Sequence, residues 1–511
     1  MATVNAPTGD MPSLPRHVHL VGIGGAGLSA IARVLAMRGH RVTGSDLAAS
    51  PLTRALNELG VTTYVGHAAE HVNGAGVVVA SSAVPDSNPE VAAARAAGIP
   101  VLRRQELMPR LMAGSIGVAV AGTHGKTTTA AMLALILERL GRSPSFIVGG
   151  VIHDLGANAA AGSGPHFVIE ADEYDGMFLG LNPQVAVVTN VEMDHPDCYP
   201  TLDSLREAFR RFLERVSPDG AIVACGDSVE VMRLLSERGS GGADVVTYGL
   251  GEGCDYRVEA VQPTPEGGVS FCVVRGTART ACAPYNKSQG GAARTACAPS
   301  REPQGAAACA PDGGWRGRCS RAWGAFRLAV PGAHNALNAT AALVAAERLG
   351  VEPRAAGEVL LGFRGALRRF EVKGERGGVT VVDDYAHHPT EIRATLAAAR
   401  GRYAGRRIWA VWEPHTFSRI EVLRDEFDTC FGDADQVIVT DVYAARSRER
   451  ATIQPETIAA SIDHPNAHYV GGTEQVVAYL LDRLEHGDVL LTLGAGDGYR
   501  IGEGVLARLA R

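Results

Sequence analysis

Lys126 and Thr127 close a glycine turn in the stretch AGTHGKTTTAAMLALI at 121–136. Such a turn, after a strand and before a helix, offers backbone N–H groups to a phosphate, an ammonium to its outer oxygens and a hydroxyl to Mg²⁺. The usual G-x-x-x-x-G-K-[ST] spacing is altered, because Val120 stands where the first glycine belongs. Gly122 and Gly125 still allow the close approach, with Thr123, His124 and Thr128 completing the loop. Glu170, at the end of HFVIEADEYD, and His195, after QVAVVTNVEMDH, supply a carboxylate and an imidazole that could meet the same metal ion.

A second glycine loop, GIGGAGLSAIA at 22–32, offers Gly22, Gly24, Gly25 and Gly27, with Ser45 and Asp46 after the next apolar run and Asp46 lying 19 residues beyond Gly27. Alone, it fits a dinucleotide such as NAD with the acid on a ribose hydroxyl. The doubled Gly24–Gly25, and the lack of a hydride-transfer constellation downstream, leave a nucleoside-diphosphate substrate as an equal fit. Ser81 and Ser82, in VVVASSAVP, end another strand of the same unit.

These groups need α/β units to hold them, and 511 residues are enough for about three domains. Apolar strands alternate with helical patterns, the rhythm of parallel sheets, whose ligands collect at the carboxyl ends of the strands. The pattern predicts a Rossmann-like domain over 1–113, a P-loop-type mononucleotide-binding α/β domain over 114–331, and a second Rossmann-like domain over 332–511. Within the middle unit, ARTACAP recurs at 278–284 and 293–299 and AAACAP follows at 306–311. The stretch 276–324 has no C-x-x-C pair and no nearby His, so it reads as a repeat expansion in a surface loop rather than a zinc site.

A net charge of -6 with interspersed signs argues against nucleic-acid and membrane partners and points to small molecules. The first 15 residues lack a basic and apolar export pattern, and nine Cys is an odd number. A cytoplasmic protein with reduced thiols is expected.

The motifs GIGGAGLSAIA, GTHGKTTT, EADEYD, TNVEMDH, GAHNALNA, RRFE, DDYAHHPTE, EPHTFSR, DVYAAR and GAGD stand in the order seen in the Mur ligases, and the set resembles the alanine-adding branch of that family. The resemblance spans nearly the whole chain. It implies that the N-terminal domain holds UDP-N-acetylmuramate, the central domain ATP, and the C-terminal domain the amino acid. It also implies amide formation through an acyl phosphate in cytoplasmic peptidoglycan synthesis, with Mg²⁺ as one or two ions and Mn²⁺ able to substitute. Carried over residue by residue, Lys126, Glu170, His195, His387 and Arg419 are catalytic. Thr127, Glu170 and His195 hold metal, Asn335 and Arg369 join the glycine turn at ATP, and Tyr385, His387, His415 and Arg419 meet L-alanine. Thr416, Ala386 and Gly498 depart from the family pattern. No Lys lies between His195 and Arg215, so no carbamylated lysine is expected. A monomer or weak homodimer is expected. The rivals are the branch that attaches a tripeptide to the same sugar nucleotide, an NAD-dependent oxidoreductase, and a non-catalytic nucleotide-binding protein.

Overall fold

The structure, a computed structural model, describes residues 13–239, 241–276, 322–444 and 453–509. Residues 1–12 and the 277–321 part of the cysteine-containing repeat lie outside them, as do Ala445 and Arg446 of DVYAAR. Three sheets carry the chain, in keeping with the α/β class expected.

The first sheet has five parallel strands, ordered Thr62–Val65, Arg41–Asp46, His17–Val21, Val77–Ala80, Val101–Arg103. Strand order reverses at His17–Val21, so the loop leaving that strand sits at a topological switch point, where open sheets bind ligands. This loop holds Gly22 to Gly25 and leads into helix Ala26–Met37, which buries Leu28, Ile31, Val34 and Leu35, spaced as one helical face.

The second sheet has ten strands. At its centre Ile116–Ala121 lies between His166–Glu170 and Val185–Val188, all parallel. The glycine turn after Ala121 is therefore flanked by the two strand ends that lead to Glu170 and to residues 189–195. At one edge Val269–Arg275 pairs antiparallel with Ala322–Leu328, Val274 opposite Ala322, so the repeat joins two adjacent hairpin strands.

The third sheet runs Glu371–Arg376, Val379–Asp384, Val489–Leu493, Ile408–Trp412, Gln436–Thr440, Ala467–Gly471, parallel except for its first strand. Helix Ala333–Arg348 was expected to open this domain, but its Ala336, Leu343 and Val344 share a core with Val118, Leu133 and Val187 of the central unit. Phe363 belongs to the same core. The boundary expected at 331/332 thus falls later, between Phe363 and the strand that starts at Glu371. The alanine-rich face of the helix buries against Lys126–Arg139 rather than against the third sheet. Among the described residues no helix is long and apolar enough to cross a membrane.

Candidate functional site

Gly122 and Gly125 both have positive φ, at 131° and 80°. A Cβ on Gly122 would stand 2.1 Å from Thr189 Oγ1, and one on Gly125 2.4 Å from Asn338 Oδ1. Glycine is therefore required twice over, by conformation and by space. Helix Lys126–Arg139 starts from Gly125 without a side-chain cap, which leaves its first N–H groups for a ligand.

Lys126 Nζ donates to the carbonyls of Gly122 and Thr123 at 2.6 and 3.1 Å and to Glu173 Oε1 at 2.9 Å. Burial opposes the charge of Lys126, but Glu173 and Asp172 hold its pKa above the usual lysine value. Glu173 is 1% exposed at its side chain, and its buried Oε2 has no hydrogen-bond partner among the described residues. Thr127 Oγ1 donates to Glu170 Oε1 at 2.9 Å, while Glu170 Oε2 accepts from Gly149 N. A threonine hydroxyl and a carboxylate are hard oxygen donors, so this pair suits Mg²⁺. His195 joins them indirectly: its Nε2 lies 3.7 Å from Glu173 Oε1 and 3.6 Å from Asp194 Oδ2.

Two cavities meet at this point. One, of about 550 Å³, lies between the first two domains and is lined by Gly22, Gly25, Gly27, Ser81, Ser82 and Glu170, among others. Gly24, Ser45 and Asp46, expected at the same ligand, do not line it. Asp46 Oδ2 accepts from Gly24 N at 2.8 Å and its Oδ1 from Leu47 N. The Ser45 carbonyl accepts from Gly22 N and Ile23 N at 2.8 and 3.0 Å, and its hydroxyl donates to buried Glu90. Ser45 and Asp46 therefore shape the cradle from behind. Strands ending in short polar residues do not reveal which face those residues serve.

The other cavity, of about 500 Å³, is lined by His124, Thr127, Thr128, Asn335, Arg369 and Glu391, among others. Thr123 turns away, its hydroxyl donating to the Glu192 carbonyl and accepting from Glu192 N. Asn335 Nδ2 donates to Pro331 O at 2.7 Å. Arg369 lies 3.5 Å from both Thr127 Oγ1 and Glu391 Oε1, with its guanidinium 5.1 Å above the Tyr385 ring. His124 lies between Glu192 at 3.4 Å and Glu391 at 3.3 Å; burial disfavours its charge, yet the two carboxylates push its pKa up to about 9. His388, whose ring centre is 4.4 Å from that of His124, is held by Met193 O and by Thr390 N.

The C-terminal groups converge too. Burial lowers His387 to about 3 and His388, His415 and His334 each to about 4. Burial thus keeps these four rings neutral at physiological pH. Arg419 is already engaged: Nε and Nη2 both lie 2.8 Å from Asp194 Oδ1, and Nη1 is 2.7 Å from His415 Nδ1. Burial raises Asp384 to about 6, against the pull of Arg369.

Spacing and composition missed Glu173, Asp194, Glu192 and Glu391. These four stand inside EADEYD, TNVEMDH and HHPTE, beside the residues that were assigned there, Glu170, His195 and the pair His387 and His388.

Comparison with known proteins follows the three sheets. Residues 17–115 match the Mur ligase family, catalytic domain; 120–282 the Mur ligase middle domain; and 368–496 the Mur ligase, glutamate ligase domain. A UDP-N-acetylmuramate--L-alanine ligase of Roseiflexus sp. (strain RS-1) is 42% identical over 494 residues, 96% of this chain and 99% of its own. One from Rubrobacter xylanophilus is 42% identical over 497 residues, 96% of this chain and all of its own. The crystal structure of a UDP-N-acetylmuramate-alanine ligase from Thermotoga maritima has a TM-score of 0.72 at 26% identity, covering 96% of this chain and 98% of that one. A murein peptide ligase of Psychrobacter arcticus, TM-score 0.67 at 23% identity and covering 97% and 99%, shares the fold.

Proposed function

The chain belongs to the Mur ligase family, and from that premise we propose that it is an ATP-dependent ligase joining L-alanine to UDP-N-acetylmuramate in peptidoglycan synthesis. The observation that carries the mechanism is the Thr127–Glu170 contact, because Thr127 lines one cavity and Glu170 the other. With ATP in the cavity of Asn335 and Thr128 and the sugar nucleotide in that of the glycine loop, the γ-phosphoryl and the acceptor carboxylate meet beside Lys126.

The carboxylate oxygen attacks the γ-phosphorus and ADP leaves, giving an acyl phosphate. The amine of L-alanine then attacks the acyl carbon, loses a proton and expels phosphate. Both steps bring anions together, so positioned cations matter more than covalent help. We assign the charge of Lys126, which Glu173 and the loop carbonyls hold, to the transferring group, and Arg369 lines the cavity of Asn335. Thr127 and Glu170 would hold Mg²⁺, which would neutralise phosphate charge; His195 is the side chain available to a second ion, and Mn²⁺ suits the same donors. The His387 ring, neutral and hydrogen-bonded through Nδ1 to Tyr385 O at 2.9 Å, together with Tyr385, His415 and Arg419, forms the wall we assign to L-alanine. One chain lines both cavities, which is consistent with a monomer or weak homodimer, and we place the reaction in the cytoplasm with its ATP.

The test is phosphate release by the purified chain with Mg²⁺, ATP and UDP-N-acetylmuramate, offering L-alanine, glycine, L-serine or the tripeptide in parallel. Release that requires the sugar nucleotide and is fastest with L-alanine is expected. Release with the tripeptide alone would move the protein to the recycling branch.

A further inference from the structure

Two adjacent guanidinium groups line the cleft between the first two domains, and they are not equivalent. Arg103 is tied down by three hydrogen bonds, with Nη1 donating to the carbonyls of Ser81 and Val84 at 2.9 and 3.0 Å and Nη2 to Asp86 at 2.8 Å. Among the described residues Arg104 makes one long polar contact, 3.4 Å from Nη2 to Asp172 Oδ2, across the domain boundary. Both partners are reachable, at 28% and 41% exposure.

The position of Arg104 is specific. A Cβ on Gly27 would stand 2.2 Å from its Nη1, so the guanidinium lies directly on the backbone of Gly27. Gly27 is in the first turn of helix Ala26–Met37, which has neither a side-chain cap nor an acidic residue there. The absent Cβ at Gly27 thus makes room for a cation beside unpaired backbone N–H groups. A guanidinium with unused donors in that place matches a diphosphate, whose oxygens accept from several N–H groups at once.

We propose that Arg104 clamps the diphosphate of the sugar nucleotide, and that Asp172, its present partner, competes with the diphosphate for the guanidinium and gives it up when the substrate binds. This inference rests on the reading of the cleft as the UDP-sugar site. Asp172 lies between Glu170 and Glu173 on the loop that bears the phosphoryl-transfer groups, so the exchange makes sugar-nucleotide occupancy felt at the end of strand His166–Glu170.

A static tie between domains would use the same two residues, but the two roles differ in sign for Asp172. Asn at 172 can still accept from Tyr174 N, as Asp172 Oδ1 does at 3.1 Å, while removing the competing charge. Binding of UDP, UDP-N-acetylmuramate and uridine to the full chain is measured by titration calorimetry without ATP or Mg²⁺. Arg104→Ala is expected to weaken UDP by about 10- to 100-fold, with uridine unchanged, because only a charge-assisted contact to phosphate is lost. Asp172→Asn is expected to tighten UDP about 3- to 10-fold, as a place-holder's removal lifts a competing equilibrium. Gly27→Ala, which displaces the guanidinium with both charges intact, is expected to weaken UDP like Arg104→Ala. If wild-type chain binds UDP but Arg104→Ala leaves the affinity unchanged, or Asp172→Asn weakens it, the exchange is wrong and the ligase reading stands. If wild-type chain fails to bind both UDP and UDP-N-acetylmuramate, both fall.

Discussion

Arg419 of the C-terminal domain and Asp194 of the central domain form a buried pair, two guanidinium nitrogens at 2.8 Å from one carboxylate oxygen with side chains 3% and 5% exposed. The same carboxylate oxygen accepts from His195 N at 2.7 Å. One aspartate therefore fixes both the backbone of the imidazole assigned to metal and the guanidinium assigned to L-alanine.

Arg419→Met is expected to destabilise the chain by about 3–5 kcal/mol, because it leaves the Asp194 charge buried and unpaired. Adding Asp194→Asn is expected to recover most of that loss without recovering activity. Thermal melts beside alanine-dependent phosphate release check both halves; a single variant as stable as wild type would show that the pair does not form in solution.

Lys126→Met is expected to lower kcat about 10³-fold with a small change in the KM for UDP-N-acetylmuramate, as removing a preorganised charge acts on the transition state. Lys126→Arg should do nearly the same, since the planar guanidinium cannot place one donor on Gly122 O, Thr123 O and Glu173 together. Steady-state kinetics decide; an Arg variant within threefold of wild type would mean that charge alone suffices.

Acidification should loosen the junction of the central and C-terminal domains. The folded-state pKa values of His334, His387, His388 and His415 are depressed to about 3–4 by burial, so the stability they contribute is present above the ordinary histidine pKa of about 6.5 and is lost as pH falls toward 4. Asp384, raised to about 6, works the other way, one group against four. His124, raised to about 9, contributes stability that is present below about 6.5 and lost as pH rises through 9. Each proton exchanged changes stability by about 1.4 kcal/mol per pH unit. Melts from pH 4 to 10 should peak near 6.5 to 7, and a flat profile between 4.5 and 6.5 would contradict the neutral buried rings.

Gly122→Ala should cost more than about 2 kcal/mol and nearly all activity, since the new Cβ meets Thr189 Oγ1 in a backbone conformation that alanine rarely adopts. Chemical denaturation measures it, and a variant as stable as wild type would mean that the loop can move.

The sequence discloses the loops better than the faces. Gly122, Gly125 and the strand ends at Glu170 and His195 were placed by the rule that parallel sheets bind at their carboxyl ends. Ser45 and Asp46 obey the same rule yet point behind the cradle, because alternation along a strand does not tell which neighbouring loop will cross it. Glu173 and Asp194 escaped because a buried carboxylate that holds a lysine or an arginine looks, in one dimension, like any acid in a polar strand end. The domain boundary slipped because Ala333–Arg348 is apolar on nearly every side, and such a helix carries no sign of which sheet it will join.

Strands Val269–Arg275 and Ala322–Leu328 face each other with Val274 opposite Ala322, so the chain leaves and re-enters the sheet at neighbouring positions. Arg275 at this root pairs with Glu347, at the C-terminal end of the helix whose other end carries Asn335. Twelve helical steps from Asn335 to Glu347 put about 18 Å between that root and the nucleotide cavity. Lengthening or exchanging whatever is spliced between paired positions adds little closure entropy, since that cost grows only with the logarithm of length. The hairpin is thus a ready socket for grafted cargo: a fluorescent protein or affinity tag spliced there would report on the enzyme with the termini and both cavities untouched.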